Sequence, residues 1–318
     1  MSNDVLVITE HMDGKVADIS YEMVGKAKQL AAALGGQAVA VVLGRGVAEL
    51  ADTFASDATL CVDDPSLAEF NPEAYGKTIA ALAIERSPRV VMIGNTSMGM
   101  DLAAWLSAKS GHPCIAYAKE LAVEDGMVVV TSQIYGGKIV AESAAEAEQA
   151  IVSVLAGAFP ADAGRGSTPA EPISAPVPLD NLKTRFVKLI RPQAGDVDIT
   201  SQDKLIAVGR GIGSADNIGL AQELAEALGA VVAASRPITD AGWLPKTRQV
   251  GKSGVAVKPK LYLMLGISGA PEHVEGMKDA ELIIAVNTDA NAPIFDLAHY
   301  GTTCNLFDVA EAMLDKLG

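Results

Sequence analysis

The stretch that decides the fold of this 318-residue chain lies between Lys204 and Asn305. Within it, five short polar segments follow hydrophobic runs: Val208-Gly209-Arg210-Gly211, Ser235-Arg236, Gln249-Val250-Gly251-Lys252-Ser253-Gly254, Gly266-Ile267-Ser268-Gly269-Ala270-Pro271-Glu272-His273 and Asn287-Thr288-Asp289. Glycine and small polar residues directly after a strand let backbone N–H groups approach a ligand. In a parallel sheet such loops share one edge, outside which the ligand crevice lies. The stretch therefore predicts a parallel sheet with a nucleotide or dinucleotide site at its carboxyl edge.

The hydrophobic runs that precede these segments have the length and branching of buried strands. They lie at 204–208, 231–234, 260–265 and 282–286, with a helical spacing of apolar residues over 218–228 between the first two. The spacing Gly209-x-Gly211-x-Gly213 after the first run is compatible with a dinucleotide loop or with an ordinary tight turn.

The first half of the chain alternates in the same way. Strands are predicted at 4–9, 38–43, 58–62 and 89–93, and helices at 20–34, 72–85 and 101–110. This alternation predicts a parallel sheet covered on both faces. Shorter runs at 127–130 and 151–155 predict further strands that extend the same sheet. The segment 95–99 is either a phosphate-binding loop or an ordinary strand–helix loop with a Thr or Ser cap.

A proline-rich segment separates the two halves. It spans about 157–185 and contains Pro160, Pro169, Pro172, Pro176 and Pro178 among Ala, Gly and Ser. This composition is typical of an extended linker. One or two strands are predicted over 182–199, crossing into the second domain. We therefore expect an N-terminal α/β domain at 1–185 and a second domain at 186–318.

Composition and charge narrow the functional classes. A net charge of −14 argues against nucleic-acid binding, which needs clustered Lys and Arg. Cys61, Cys114 and Cys304 lack the spacing of a metal site and are interpreted as small buried hydrophobic residues. No run of eighteen apolar residues is present, so no membrane insertion is expected. The amino terminus has no signal-peptide pattern, so we expect a cytoplasmic protein.

Taken together and in order, the motifs of the second half resemble the electron transfer flavoprotein alpha subunit. They are GRG at 209–211, SR and DAG within 235–242, QVGxSG at 249–254, LYLxxGISGA at 261–270 with His273, and AVNTD and APIF within 285–295. The first half is similar through VLVITEH at 5–11, the proline-rich segment and Tyr135-Gly136-Gly137.

This resemblance implies an architecture and a partner. The architecture is a nucleotide-binding-like N-terminal domain of the adenine nucleotide alpha hydrolase type, followed by a Rossmann-like FAD-binding domain. The partner is the electron transfer flavoprotein beta subunit, which the N-terminal domain contacts and which carries AMP or a second FAD. In the family, electrons pass from flavin dehydrogenases, as in fatty acid beta-oxidation, to a quinone reductase or another acceptor. The subunit is thus an electron carrier rather than a substrate-converting enzyme.

The resemblance also implies the residues of the FAD site. They are Arg210, Ser235, Arg236, Gln249, Val250, Gly251, Lys252, Ser253, Ser268, Gly269, Ala270, Pro271, Glu272, His273, Asn287, Asp289, Asn305 and Leu306. Three of them are expected to tune the flavin: Arg236 by its permanent charge, His273 by donating near the ring carbonyls, and Ser253 by bonding a ring nitrogen. The alternatives are a surface ion pair for Arg236, a helix cap for His273 and a turn for Ser253.

Three departures from the family pattern bear on function. Lys252 stands where the family commonly has Gln, Asn305 where it has Asp, and Pro271-Glu272 where it has an apolar-Gln pair. We expect the Lys252 cation to raise the flavin potential or to strengthen phosphate binding. A flavin-based bifurcating complex that oxidises NADH stays an alternative function. A degenerate nucleotide-binding subunit with a structural role is a third.

Overall fold

A computed structural model describes residues 2–135, 137–189 and 197–317 of the chain. The chain divides into two compact units, Met1–Lys188 and Leu189–Gly318. No helix within the described ranges is long and apolar enough to cross a membrane.

The first unit is an α/β unit built on one large sheet. Its strands are β1 (Val5–Ile8), β2 (His11–Met12), β3 (Lys15–Val16), β4 (Ala38–Gly44), β5 (Ala58–Asp63), β6 (Val90–Gly94), β7 (Cys114–Glu124), β8 (Met127–Ile134), β9 (Ile139–Ala145), β10 (Ala150–Val154) and β11 (Ala170–Ile173). Its helices are α1 (Asp18–Leu34), α2 (Ala48–Ala51), α3 (Pro72–Arg86) and α4 (Ser97–Ser110).

Within the described part of this unit, nine strands form the sheet in the order β11-β5-β4-β1-β6-β10-β7-β8-β9. The strands from β11 to β7 run parallel, and β8 and β9 continue the sheet antiparallel. The predicted extension of the parallel sheet by the runs at 127–130 and 151–155 is confirmed. Separately, β2 and β3 form a short hairpin.

Hydrophobic clusters cover both faces of the sheet, as predicted. One face packs against α1 through residues such as Met23 and Leu30, and the other packs against α3 and α4 through residues such as Leu82 and Leu106. Helix α1 ends where Gly35 adopts a left-handed conformation with φ of 76°, which glycine takes without steric cost. Thr96 caps α4 by accepting a hydrogen bond from the Gly99 N–H, which supports the ordinary-loop interpretation of 95–99.

The interpretation of 157–185 as an extended linker needs correction. Strand β11 within this segment pairs in parallel with β5 as an edge strand of the first sheet. Leu179 is buried, and the Glu73 carboxylate accepts hydrogen bonds from the backbone of Lys183 and Thr184. A segment poor in large apolar residues can still join a sheet by backbone pairing, and Pro172 is tolerated because β11 lies at the edge.

Two further expectations differ from the structure. The strands predicted over 182–199 are absent at 182–189 and 197–199, and 190–196 lie outside the described residues. Of the three cysteines interpreted as buried, Cys61 is buried, Cys114 is half-buried and Cys304 is exposed. Cys304 lies in the exposed turn between β16 and α8.

The second unit contains a smaller parallel sheet. Its elements are β12 (Lys204–Val208), α5 (Ile218–Leu228), β13 (Val231–Ala234), α6 (Arg236–Asp240), β14 (Leu261–Leu265), α7 (Pro271–Val274), β15 (Ile283–Val286), β16 (Tyr300–Thr302) and α8 (Leu306–Leu317). Among residues 197–317, five strands pair in the order β13-β12-β14-β15-β16, all parallel. Helices α5 and α8 share a hydrophobic cluster on one face, whereas short turns and α7 cover the other. The predicted two-part α/β fold is confirmed.

Candidate functional site

The register of the second sheet brings its strand ends into line. Val208 at the end of β12 pairs with Ala234 of β13 and with Leu265 of β14. Leu265 pairs with Val286 of β15, which pairs with Thr302 of β16. The five loops that follow these residues therefore start from the same edge of the sheet. Four of the five predicted polar segments follow β12, β13, β14 and β15 and therefore meet at this edge, as expected. The segment 249–254 instead follows a 3-10 turn at Lys246–Arg248, and the fifth loop of the edge follows β16.

The loops after β12 and β14 are in close backbone contact. Strand β12 pairs with β13 on one side and with β14 on the other, so the order in which strands are added to the sheet reverses at β12. Ligand crevices of open parallel sheets form at such reversal points. The Gly211 N–H donates to the Gly266 carbonyl over 3.1 Å, and a Cβ atom on Gly211 would lie 2.7 Å from the Gly266 Cα. The chain from Arg210 to Ile212 forms a 3-10 turn. The structure thus supports a tight turn whose glycines are required by the packing of two loops.

A second pair of loops joins residues 249–254 to residues 268–273. The Lys252 N–H donates to the Glu272 carbonyl over 2.7 Å. Gly251 has φ of 129° and would place a Cβ atom 2.5 Å from the same carbonyl oxygen. Gly269 has φ of 88° and lies against the backbone of Ile294. At both positions the positive φ and the lack of room for a Cβ atom therefore require glycine.

The loops after β15 and β16 are tied to this group by Asn287. Its Nδ2 atom donates to the Ile267 carbonyl over 2.9 Å, and its backbone N–H donates to the Thr302 carbonyl over 3.1 Å. Its Oδ1 atom accepts from the Asp289 N–H over 3.0 Å. In this structure Asn287 is therefore a connector between three loops. Its predicted ligand contact and that of Asp289 stay predictions.

At the start of α8, Asn305 and Leu306 have different environments. The Asn305 Oδ1 atom accepts from the Phe307 N–H over 3.0 Å, so this residue caps the start of the helix. Leu306 is buried in the cluster shared by α5 and α8. Of these two predicted site residues, Leu306 can reach a ligand only through its backbone.

Three of the predicted site residues bring positive charge to the carboxyl edge. Arg210, Arg236 and Lys252 are exposed, although the chain as a whole carries a net charge of −14. The Arg236 side chain is 67% exposed, and its Nε atom lies 3.1 Å from Asp240 Oδ2. The structure therefore shows the ion pair considered as an alternative for Arg236. That pair engages Nε, and the guanidinium carries further N–H donors.

Ser253 is joined to the protein interior through Gln249. The Gln249 side chain is 4% exposed, and its Nε2 atom donates to Ser253 Oγ over 2.9 Å. Its Oε1 atom accepts from Thr239 Oγ1 over 2.6 Å. Gln249 is predicted as a cofactor ligand, but both ends of its amide are bonded within the protein. Thr239 was missed in the sequence analysis, because a threonine next to a recognised motif has no distinguishing local pattern.

His273 lies below the surface of its loop and not on it. Its side chain is 6% exposed, and its Nε2 atom lies 3.1 Å from the Tyr262 hydroxyl. Burial lowers the pKa of His273 to about 4. The backbone of Val250 opposes this shift without satisfying Nδ1, which makes no hydrogen bond within the described part of the chain. At neutral pH the imidazole is uncharged, and it lies within α7 and not at its cap.

The Tyr262 partner of His273 was not identified from sequence. Tyr262 is fully buried in β14, and burial raises its pKa well above the ordinary value. Tyr262 lies inside a hydrophobic run, and this local pattern does not indicate that its hydroxyl contacts a histidine eleven residues away.

The remaining predicted residues divide by exposure. Ser268, Ala270, Pro271, Glu272 and Asp289 are exposed, whereas Ser235, Val250, Gly251 and Gly269 are buried. Val250, Gly251 and Gly269 can reach a ligand only through backbone groups, whereas Ser235 also carries a hydroxyl. Exposed cations, hydroxyls and glycine backbone at one sheet edge fit a dinucleotide with a charged pyrophosphate, and therefore fit FAD.

Among the described residues, no group of three His, Cys, Asp or Glu side chains is placed to hold a metal ion.

Comparison with known proteins gives a consistent result. Residues 5–179 match the electron transfer flavoprotein domain, and residues 198–278 match the electron transfer flavoprotein FAD-binding domain. The electron transfer flavoprotein subunit alpha of Thermoanaerobacterium thermosaccharolyticum is 32% identical over 99% of this chain and 97% of its own length. Protein FixB of Clostridium saccharobutylicum is 33% identical, over 98% and 95%.

A third relative has a name that specifies its assembly. The acryloyl-CoA reductase electron transfer subunit beta of Anaerotignum propionicum is 32% identical over 99% of this chain and 95% of its own length. The two domain matches cover most of both structural units, and the relatives align over almost the whole chain. The chain therefore belongs to the electron transfer flavoprotein alpha subunit family.

Proposed function

We propose that this chain binds FAD at the carboxyl edge of its second sheet and works as an electron carrier in a heterodimer with a beta subunit. It takes electrons from flavin dehydrogenases, such as acyl-CoA dehydrogenases, and passes them to a quinone-linked or other redox acceptor. The observation that carries the proposal is that the five strand ends, from Val208 to Thr302, lie at one sheet edge. The unit that contains them matches a FAD-binding domain. The proposed compartment is the cytoplasm, and the N-terminal unit is the proposed contact with the beta subunit.

The proposed contacts follow from what each loop presents. The exposed cations Arg210 and Lys252 favour the pyrophosphate, together with the backbone N–H groups at 268–270. The connector Asn287 and the exposed Asp289 are proposed at the adenosine end. Ser235, Asn305 and the backbone of Leu306 complete the rim.

Around the flavin ring, the proposed residues act by charge and hydrogen bonding. FAD, when bound, supplies the electron-transfer chemistry, and the protein supplies position and electrostatics. The permanent charge of Arg236 favours addition of electrons to a group beside it. Ser253 presents a hydroxyl, and the buried His273 presents a neutral imidazole behind the loop. Exposure of Arg236 and Ser253 leaves both open to a ligand.

A second candidate function rests on one relative and on the family departures. The relative from Anaerotignum propionicum is named as an electron transfer subunit of an acryloyl-CoA reductase. The chain also carries Lys252 and Pro271-Glu272 at positions where the family commonly differs. The alternative is therefore a dedicated redox complex, including one in which a second flavin in the beta subunit oxidises NADH and divides its electrons between two acceptors.

Counting the bound nucleotides tests the proposal. The chain is co-expressed with its beta subunit, and the nucleotides released from the purified complex are separated and quantified. One FAD and one AMP per heterodimer is the result expected for an electron carrier. Two FADs would favour the bifurcating alternative, and NADH oxidation would be assayed next. A complex that assembles without any flavin would overturn the proposal.

A charge variant then tests the location of the site. Arg210→Gln removes an exposed cation at the carboxyl edge, so we expect FAD affinity to fall several-fold and to depend less on salt. Arg45→Gln is the matched control, because it removes an exposed arginine from the first unit. Equal FAD affinity for both variants would place the site elsewhere.

A further inference from the structure

A surface cavity of about 400 Å³ lies in the first unit, between the carboxyl ends of helices α3 and α4. Both helices end there at a residue in the left-handed conformation, Ser87 with φ of 45° and Gly111 with φ of 77°. The volume is within the range of about 300–1,000 Å³ that is usual for small-molecule sites. All residues that line the cavity belong to the first unit, whereas the candidate flavin site belongs to the second. The cavity is therefore a feature that the proposed function does not use.

Part of the cavity lining is apolar. Ala80, Ala83 and Ile84 lie three and four residues apart on α3, so they share one face of this helix, and Leu106 of α4 completes the apolar part. Ala83 and Leu106 are buried, whereas Ile84 is 78% exposed. A ligand with an apolar body would cover Ile84, and each methylene group that it buries strengthens binding by about fourfold.

The cavity also contains a buried hydrogen-bond acceptor, the amide oxygen of Gln149. This side chain is 7% exposed, and its Nε2 atom donates to the Pro88 carbonyl over 2.8 Å. The contact fixes the orientation of the amide, because the opposite orientation would place two acceptors against each other. Within the described part of the chain, Oε1 accepts no hydrogen bond. Because buried amide groups are normally bonded, Oε1 suits an N–H donor on a ligand.

Two basic residues, Lys109 and His112, provide the remaining polar groups. Lys109 is exposed in the last turn of α4, and His112 is half-buried just after this helix. Neither side chain is paired with a carboxylate among the described residues, and none of the described lining residues is Asp or Glu. The charge of the cavity lining therefore favours an anion.

The two helix ends alone would favour a cation, because a helix carries partial negative charge at its carboxyl end. Here this charge is compensated. The last turns contain the cations Arg86 and Lys109, and Ser87 Oγ donates to the Ile84 carbonyl over 3.1 Å. The side chains that remain for a ligand are thus an ammonium group, an imidazole and an amide oxygen.

We propose that this cavity binds a small organic anion that combines a carboxylate, an apolar body and an N–H donor. This is the chemistry of an N-acyl amino acid with an apolar side chain. The carboxylate pairs with Lys109, the apolar body packs against Ile84 and Leu106, and the N–H group donates to Gln149 Oε1. The site is separate from the flavin chemistry and does not depend on it.

Four related ligands test the three contacts one at a time. N-acetyl-leucine has all three groups, N-acetylglycine lacks the apolar body, N-acetyl-leucinamide lacks the charge, and N-acetyl-N-methyl-leucine lacks the N–H donor. Binding to the purified heterodimer is measured by isothermal titration calorimetry. We expect N-acetyl-leucine to bind most tightly. Kd should rise about fourfold or more without the body, about two- to fivefold without the charge and about two- to tenfold without the donor.

Variants of exposed residues then locate the ligand. Ile84→Ala should weaken binding of N-acetyl-leucine and leave that of N-acetylglycine unchanged. Lys109→Gln should weaken binding of N-acetyl-leucine and leave that of N-acetyl-leucinamide unchanged. The controls are Met100→Ala, an exposed apolar residue of α4 outside the cavity, and Lys28→Gln, an exposed cation of α1 on the opposite face of the sheet.

The outcomes that would overturn the proposal are distinct. Absence of N-acetyl-leucine binding to the heterodimer would exclude the site. Equal affinity in Ile84→Ala and Met100→Ala would place the ligand elsewhere. Equal binding of N-acetyl-leucine and N-acetyl-leucinamide would exclude a carboxylate as the recognised group. FAD content is measured on the same samples, so the proposed electron-carrier function is judged separately from this site.

Discussion

The imidazole of His273 and the hydroxyl of Tyr262 form a buried pair in the second unit, with Nε2 and the hydroxyl oxygen 3.1 Å apart. The pair joins helix α7, which follows β14, to the second residue of β14 itself. Both side chains are withdrawn from solvent, so each depends on the other for a hydrogen bond. This buried hydrogen bond therefore anchors the loop that carries Ser268 to Glu272 to the sheet.

Replacing Tyr262 by Phe should destabilise the second unit. The change leaves the buried Nε2 atom of His273 without its partner, which costs about 1–3 kcal/mol. Urea unfolding followed by Trp243 fluorescence in a Trp105→Phe background measures this unit. Tyr300→Phe is the control, because Tyr300 is 68% exposed, and it should change the free energy of unfolding by less than about 0.5 kcal/mol. Equal losses in the two variants would show that the buried pair contributes nothing.

The same pair predicts an acid sensitivity. Burial lowers the pKa of His273 to about 4 in the folded state, from an ordinary histidine value of 6.5. Between these values the unfolded chain binds the extra proton, so the free energy of unfolding falls as pH decreases. The total loss is about 3 kcal/mol. His273→Gln should remove this part of the slope between pH 6.5 and pH 4, and His112→Gln in the first unit should not. Parallel stability curves for His273→Gln and the unmodified protein would contradict the prediction.

Glu10 in the first unit predicts the opposite pH dependence. It is buried after β1 and accepts from Thr96 Oγ1 over 2.7 Å, and burial raises its pKa to about 7 from 4.5. The folded state binds the extra proton between these values, so the free energy of unfolding falls as pH rises.

Glu10→Gln keeps an oxygen for Thr96 but cannot ionise. We expect it to be more stable than the unmodified protein by about 3 kcal/mol at pH 8, with little difference at pH 4.5. Unfolding followed by Trp105 fluorescence in a Trp243→Phe background measures this. The exposed Glu85→Gln is the control. A gain that is the same at both pH values would exclude ionisation of Glu10 as its cause.

Gly269→Ala should disturb the candidate site more than an alanine at another left-handed glycine. A Cβ atom at Gly269 would lie 2.4 Å from the Ile294 nitrogen, so the loop at 266–273 must shift. Gly229 has φ of 59° and open space, so Gly229→Ala should cost only the conformational strain of about 1–2 kcal/mol. We expect the FAD content of the purified heterodimer to fall in Gly269→Ala and to be unchanged in Gly229→Ala. Full FAD content in both would place the flavin away from this loop.

Lys252→Gln should lower the reduction potential of the bound flavin. Lys252 is exposed beside Ser253, and loss of a partly screened positive charge makes electron uptake less favourable. An interaction of about 0.5–1 kcal/mol corresponds to a shift on the order of 30 mV for one electron. Spectroelectrochemical titration measures the potential, with Lys258→Gln as the control in the same unit. Unchanged potential and unchanged FAD affinity in Lys252→Gln would exclude both roles expected for this cation.

The sequence was sufficient for β12 to β15 in the second unit and for the edge of the sheet that carries the candidate site. Strands and helices follow from local hydrophobic periodicity, and their ends follow from glycines such as Gly35, whose left-handed conformation is a local property. Because the five strands described within residues 197–317 all run parallel, the residues after Val208, Leu265 and Val286 had to meet at one edge. The ordered motifs of these loops were also sufficient to indicate the family.

Only the tertiary structure decided which of these residues are exposed, which are protonated and which are hydrogen-bonded. The chain around β11 joins the first sheet because backbone groups of β5, more than one hundred residues earlier, are available for pairing. The low pKa of His273 and the high pKa of Glu10 arise from burial, and the amide of Gln249 lies within hydrogen-bond distance of Thr239 and Ser253. Desolvation and hydrogen-bond direction depend on neighbours that are distant in sequence, and therefore no local pattern of residues encodes them.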